Sequence, residues 1–106
     1  MNKYKSVKTK YNGITFHSKK EAEYAKLLDM LKKASDLENR VVSYAIQVPY
    51  DIYINDQKIC RYLADFKVKY ADGRTEVVDV KGFRTPIYKL KKKLVEAQHG
   101  IEIIEY

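Results

Sequence analysis

Residues 58–82 read KICRYLADFKVKYADGRTEVVDVKG, two strand-like runs joined by a turn, and the rest of the chain is organised around them. The first run sets Phe66, Val68 and Tyr70 against Lys67 and Lys69, the two-residue period of a half-buried strand. Ala71-Asp72-Gly73 supplies turn residues, and Thr75–Lys81 is a second strand, crowded with valine. So short a connection makes the two runs neighbours in a hairpin. Asp65 and Asp79 can then lie side by side, with Asp79 and Lys81 on one face of their strand.

Upstream, Val41–Ile54 is rich in β-branched residues and tyrosine; Pro49 interrupts it, and a bend or split is expected there. Asn55-Asp56 reads as the hairpin turn into the next strand. Earlier still, Ser18-Lys19-Lys20-Glu21 has the form of a capping box. It opens a helix running to about Ala34, with Ala22, Ala25, Leu28 and Leu31 as its buried stripe, broadened by Tyr24 and Leu27. Before it lie a turn at Tyr11-Asn12-Gly13 and a short apolar stretch, Ile14-Thr15-Phe16. Residues 1–13 read as a basic, flexible segment.

Downstream, Thr85-Pro86 places an N-cap and an N1 proline at the start of a second helix. Its expected buried face is Ile87, Leu90, Leu94 and Ala97, and Gly100 stands where a C′ glycine belongs. Ile101–Tyr106 reads as a last strand. The order is α-β-β-β-α-β, an α/β fold expected as a single domain of 106 residues with a mixed central sheet flanked by helices.

Composition narrows the class. Apolar residues make up 45%, enough for a packed core. No apolar run approaches the ~20 residues of a membrane span, and the N-terminus lacks a signal-peptide stretch. Cys60 is the lone cysteine, which excludes an internal disulfide and leaves no zinc spacing; a cytoplasmic home, the host's if phage-encoded, is expected. The net charge of +7 is unevenly spread. Residues 1–20 carry six lysines and no acid, and residues 81–93 carry six bases and no acid, leaving the remainder at −5. Such patches attract polyanions, nucleic acid first among them.

The acid-x-Lys pattern occurs three times, at Asp56-Gln57-Lys58, Asp65-Phe66-Lys67 and Asp79-Val80-Lys81, so the pattern alone carries little. The third differs because its charges sit within a valine strand, where an acid destabilises unless something pairs with it. A buried Asp–Lys ion pair is one explanation. A metal site is another: two carboxylates, a backbone carbonyl and waters suit Mg²⁺. Two close carboxylates repel, and a cation relieves that conflict. A neighbouring lysine can orient a water or stabilise developing charge.

The spacing of Asp65, Asp79-Val80-Lys81, a preceding helix with a glutamate and a following basic helix resembles the PD-(D/E)XK phosphodiesterases. That superfamily includes restriction enzymes, phage endonuclease I and Holliday-junction resolvases. The phrases Gly13-Ile14-Thr15-Phe16-His17-Ser18-Lys19-Lys20-Glu21, Ala64-Asp65-Phe66 and Asp79-Val80-Lys81-Gly82-Phe83-Arg84-Thr85-Pro86 are similar to a family of short phage and prophage proteins assigned to it. The resemblance runs from about residue 11 to the C-terminus. It implies an αβββαβ core and roles: Asp65, Asp79 and the Val80 carbonyl as metal ligands, and Lys81 at the attacking water. Glu21, favoured over Glu23, would complete the site from the first helix, although an N3 glutamate in a capping box needs no further purpose. Ala64 stands where the superfamily's name has proline.

The implied activity is Mg²⁺-dependent DNA endonucleolysis, with Mn²⁺ substituting, on branched or replication-intermediate DNA, in a possible homodimer. Arg84 and Lys89 would contact the DNA backbone. Lys91 could touch a phosphate or cover apolar surface with its stem, and Gln47 sits on a segment that approaches the site in related nucleases. The alternative is a nucleic-acid-binding module that does not cut.

Overall fold

The computed structural model describes residues 7–80 and 82–106. Lys81 lies outside the described residues, as do residues 1–6. The elements run β1 (Thr9–Tyr11), β2 (Ile14–Phe16), α1 (Lys19–Leu31), β3 (Val41–Ile54), β4 (Gln57–Tyr70), β5 (Thr75–Asp79), α2 (Pro86–His99) and β6 (Ile103–Glu105). From α1 onward this is the α-β-β-β-α-β order of an α/β fold. β1 and β2 form a two-stranded sheet, and the larger sheet has the order β3-β4-β5-β6. That sheet is mixed, since β6 pairs parallel to β5. The chain divides into two compact units, Met1–Tyr44 with Lys69–Arg74, and Ala45–Val68 with Thr75–Tyr106.

In the first unit, Thr9 to Tyr11 form a strand within the segment expected to be irregular. The cause is the turn: Asn12 and Gly13 have φ of 52° and 79°, the left-handed pair that closes a two-residue hairpin. Thr9 faces Phe16 and Tyr11 faces Ile14 across it. α1 starts as expected, with Ser18 Oγ accepting from the Glu21 amide at 3.1 Å. It ends at Leu31 rather than Ala34. The Lys33 and Ala34 amides turn back only three residues, to the Met30 and Leu31 carbonyls, tightening the chain out of the α-helix. Ala22, Tyr24, Ala25 and Leu28 are its buried apolar residues, and Leu31 is half-buried.

In the second unit α2 packs on the sheet through Tyr88 and Val95, which meet Ile52, Tyr62, Ala64, Val77 and Ile103. Its ends match the sequence: Thr85 Oγ1 accepts from the Tyr88 amide at 3.0 Å, and Gly100 takes the left-handed C-cap at φ 65°. Its face does not. Ile87 and Leu90 are 67% and 58% exposed and Ala97 is exposed, while Leu94 is partly buried. Two stripes with helical spacing compete on α2. Tyr88 and Val95 win it, about two turns apart, because the Tyr88 ring fills the core while its hydroxyl reaches Glu105.

β3 runs unbroken through Pro49. Its irregularity falls at Gln47, whose φ of 51° is left-handed. Asn55 and Asp56, with φ of 50° and 66°, form the expected hairpin turn. β4 alternates as read, with Phe66, Val68 and Tyr70 buried and Lys67 and Lys69 exposed. β5 does not alternate: Val77, Val78 and Asp79 are all buried, as is Val80 just after it. A strand with neighbours on both edges and both faces covered loses its polar side.

Candidate functional site

The second unit brings Asp65 and Asp79 together. Both are buried, Asp79 completely and Asp65 at 8% exposure. Each carboxylate accepts an amide from the other strand: Asp65 N donates to Asp79 Oδ1 at 3.3 Å, and Val80 N donates to Asp65 Oδ2 at 2.9 Å. These reciprocal bonds lie where β5 ends, so the acids stand in for carbonyls at the point where the ladder stops. The Asp79 carbonyl is itself taken by the Tyr106 amide at 2.8 Å. The backbone therefore fixes both carboxylates.

Gln47 reaches the same place from β3, with Nε2 3.5 Å from Asp65 Oδ1. Its backbone there is left-handed, with φ of 51°. A non-glycine residue in that conformation inside a strand is strained, and such strain concentrates at functional sites.

A feature the sequence did not reveal lies on the other side of Asp79. Glu105 of β6 is in register with Asp79. Its carboxylate accepts the Tyr88 hydroxyl at 2.7 Å and pairs with Arg84 Nε at 2.9 Å, with Lys92 Nζ at 4.0 Å. The Tyr88 hydrogen bond, then that of Arg84 and the charges of Lys92 and Arg84, hold Glu105 below the usual carboxylate range against a smaller opposing effect of burial. Burial, then the bond to Glu105, then the charges of Asp79 and Glu105 push Tyr88 well up, so it stays a neutral donor. Only a parallel pairing twenty-six residues on places Glu105 here, and no local motif announces that.

The remaining expectations divide. Arg84 is held by Glu105 with its guanidinium half-exposed. Lys91 is half-buried and donates from Nζ to the Arg61 carbonyl at 3.3 Å, which fits a lysine covering apolar surface. Lys89 is exposed on α2. Glu21 is in the first unit, 8% exposed, and accepts the Ser18 hydroxyl on Oε1 at 3.4 Å. Lys81 cannot be placed, being outside the described residues. His99 is engaged with the Asp51 carbonyl at 2.8 Å and with the Tyr50 ring.

Among the described residues no three His, Cys, Asp or Glu side chains form a group that could hold a metal ion. Asp65 and Asp79 bring two carboxylates together, the number Mg²⁺ often takes from protein while waters and phosphate fill the other positions. The two acids fit that demand in chemistry: hard oxygen donors, fixed by backbone, at the end of a strand. No helix among the described residues is long and apolar enough to cross a membrane.

Comparison with curated proteins gives no match, and neither does comparison with solved structures. A family model does match, over residues 1–103 of the 106, and the chain belongs to the family it describes, Protein of unknown function (DUF1064).

Proposed function

We propose that the protein is a Mg²⁺-dependent endonuclease of the PD-(D/E)XK type, cutting DNA phosphodiester bonds. The observation that carries this reading is the buried pair Asp65 and Asp79, each holding the other's strand amide. Two acids placed next to each other repel, and a bound cation relieves that repulsion. Near an anionic backbone their charge would oppose binding unless a cation intervened.

In this reading Asp65 and Asp79 hold the metal. When bound, Mg²⁺ or Mn²⁺ neutralises the phosphate and acidifies a coordinated water. The Val80 carbonyl, next to the amide anchored on Asp65, is a third ligand by resemblance. Lys81 orients the attacking water, and Gln47 restrains Asp65. Arg84, steadied by Glu105, offers its outer N–H groups to a phosphate. A pure binding module has no use for the acid pair. Action on branched DNA by a homodimer, each copy cutting one strand, is the form the phage resemblance implies.

The test is cleavage of labelled linear duplex, single-stranded and four-way-junction DNA, with Mg²⁺ or with EDTA. Wild type is expected to cut only with Mg²⁺. Lys81→Ala should lose at least about a hundredfold in rate, the usual worth of a positioned acid–base group. Tight binding with no cutting in Mg²⁺ or Mn²⁺ would sink the enzyme and leave the binding module.

A further inference from the structure

The first unit contains a cavity of about 170 Å³ lined by Thr9, Lys10 and Tyr11 of β1 and by Lys19, Ala22, Glu23 and Lys26 of α1. Positions 19, 22, 23 and 26 form one helical stripe, so a single face of α1 makes one wall and β1 the other. Ala22 contributes only a methyl group to that stripe. The cavity far exceeds the ~30 Å³ that one water occupies. Three ammonium groups against one carboxylate give it a net positive charge.

Two further features point to an anion. Lys19 and Lys20 occupy the first positions of α1, where the helix dipole disfavours cations and favours anions. A negative ligand in the cavity reverses that penalty. The Tyr11 wall is also fixed: its hydroxyl donates to Asp29 Oδ2 at 2.6 Å, and Tyr44 donates to the other oxygen at 2.9 Å. Lys26 Nζ lies 5.8 Å from the Tyr11 ring centroid, so cation and aromatic face share the cavity.

We propose that this cavity is a phosphate-binding subsite for a nucleic-acid chain, separate from the Asp65–Asp79 pair. Lysines are point charges that take a phosphodiester in many orientations, as a contact without base readout needs. A polymer is favoured over a free ion because the basic run continues past the cavity through Lys8 and Lys20. The ring beside the lysines favours a nucleic acid over an acidic peptide, since sugar and base present a flat face to it. This inference rests on the nucleic-acid part of the proposed function and not on cleavage.

The experiment is a fluorescence-anisotropy titration of a labelled DNA duplex by the full chain in EDTA, which is blind to cutting, over a series of NaCl concentrations. The double variant Lys19→Ala with Lys26→Ala is compared with a charge-matched control, Lys33→Ala with Lys69→Ala, and thermal melting checks that each folds. The pocket variant should bind every sequence more weakly and lose about one from the slope of log K against log salt, with the control near wild type. Equal losses in both variants would mean diffuse attraction and overturn the site. Displacement of the duplex by inorganic phosphate at matched ionic strength, from wild type but not from the pocket variant, would make it a small-anion site and overturn the polymer. No binding by wild type overturns the inference as well. If the pocket variant alone weakens binding while wild type never cuts, this subsite stands and the nuclease reading falls.

Discussion

Asp79 is a fully buried carboxylate whose Oδ1 accepts the Asp65 amide, a bond that an asparagine oxygen can also make. Asp79→Asn removes a buried charge beside a second acid while keeping the hydrogen bond. In EDTA the variant should melt no lower than wild type, and up to about 1 kcal/mol of added stability fits a residue kept for function at the fold's expense. Its Mg²⁺-dependent cleavage should vanish. A variant that melts well below wild type would make Asp79 a structural acid. Asp65 and Asp79 were legible in the sequence because acids inside a valine-rich hairpin conflict with their surroundings. Glu105 was not, since Ile101–Tyr106 gives an exposed-looking acid on a short strand. Nor was the Gln47 conformation, because glutamine carries no sign of a positive φ.

At the scale of elements, helix caps were easier to read than helix faces. Ser18, Thr85 with Pro86, and Gly100 hold their expected places because a cap is settled by a few adjacent residues. The buried face of α2 depends on what lies opposite, and both Ile87–Leu90–Leu94 and Tyr88–Val95 satisfy helical spacing. The contact that decides it joins α2 to β6 through Tyr88, Arg84, Lys92 and Glu105. This clamp has a pH signature. The hydrogen bond from Tyr88, followed by that from Arg84, depresses Glu105 below its ordinary value of 4.5, so it stabilises the fold above that value. The contribution is lost as pH falls below 4.5 and through the lower folded value. Urea midpoints measured from pH 7 down to about 2.5 should therefore decline less for Glu105→Gln than for wild type, and start lower at neutrality. Asp29, lowered first by the Tyr11 hydroxyl, keeps part of the decline in both proteins. Parallel curves would show that Glu105 is not held by these partners.

For the molecule as a whole, the proposed metal binding would be linked to stability. A cation held by Asp65 and Asp79 in the folded chain alone stabilises it by mass action, by about 2.7 kcal/mol at a hundredfold excess over its dissociation constant. Mg²⁺ should therefore raise the melting temperature beyond NaCl of equal ionic strength, and Asp79→Asn should lose that increment. Equal melting in Mg²⁺ and NaCl would remove the metal from the proposed site. The sequence by itself determined the α/β class, the run from α1 to β6, the helix caps, the Asn55-Asp56 turn and the acid pair. Each of these follows from residues close together in the chain, through periodicity, turn geometry or a charge in an apolar run. Tertiary structure alone decided the buried face of α2, the strain at Gln47, the pairing of Glu105 with Asp79 and the lysine-lined cavity over Ala22. Those depend on which distant segments meet, and a side chain's partner across a sheet or helix face leaves no mark on its own stretch of sequence.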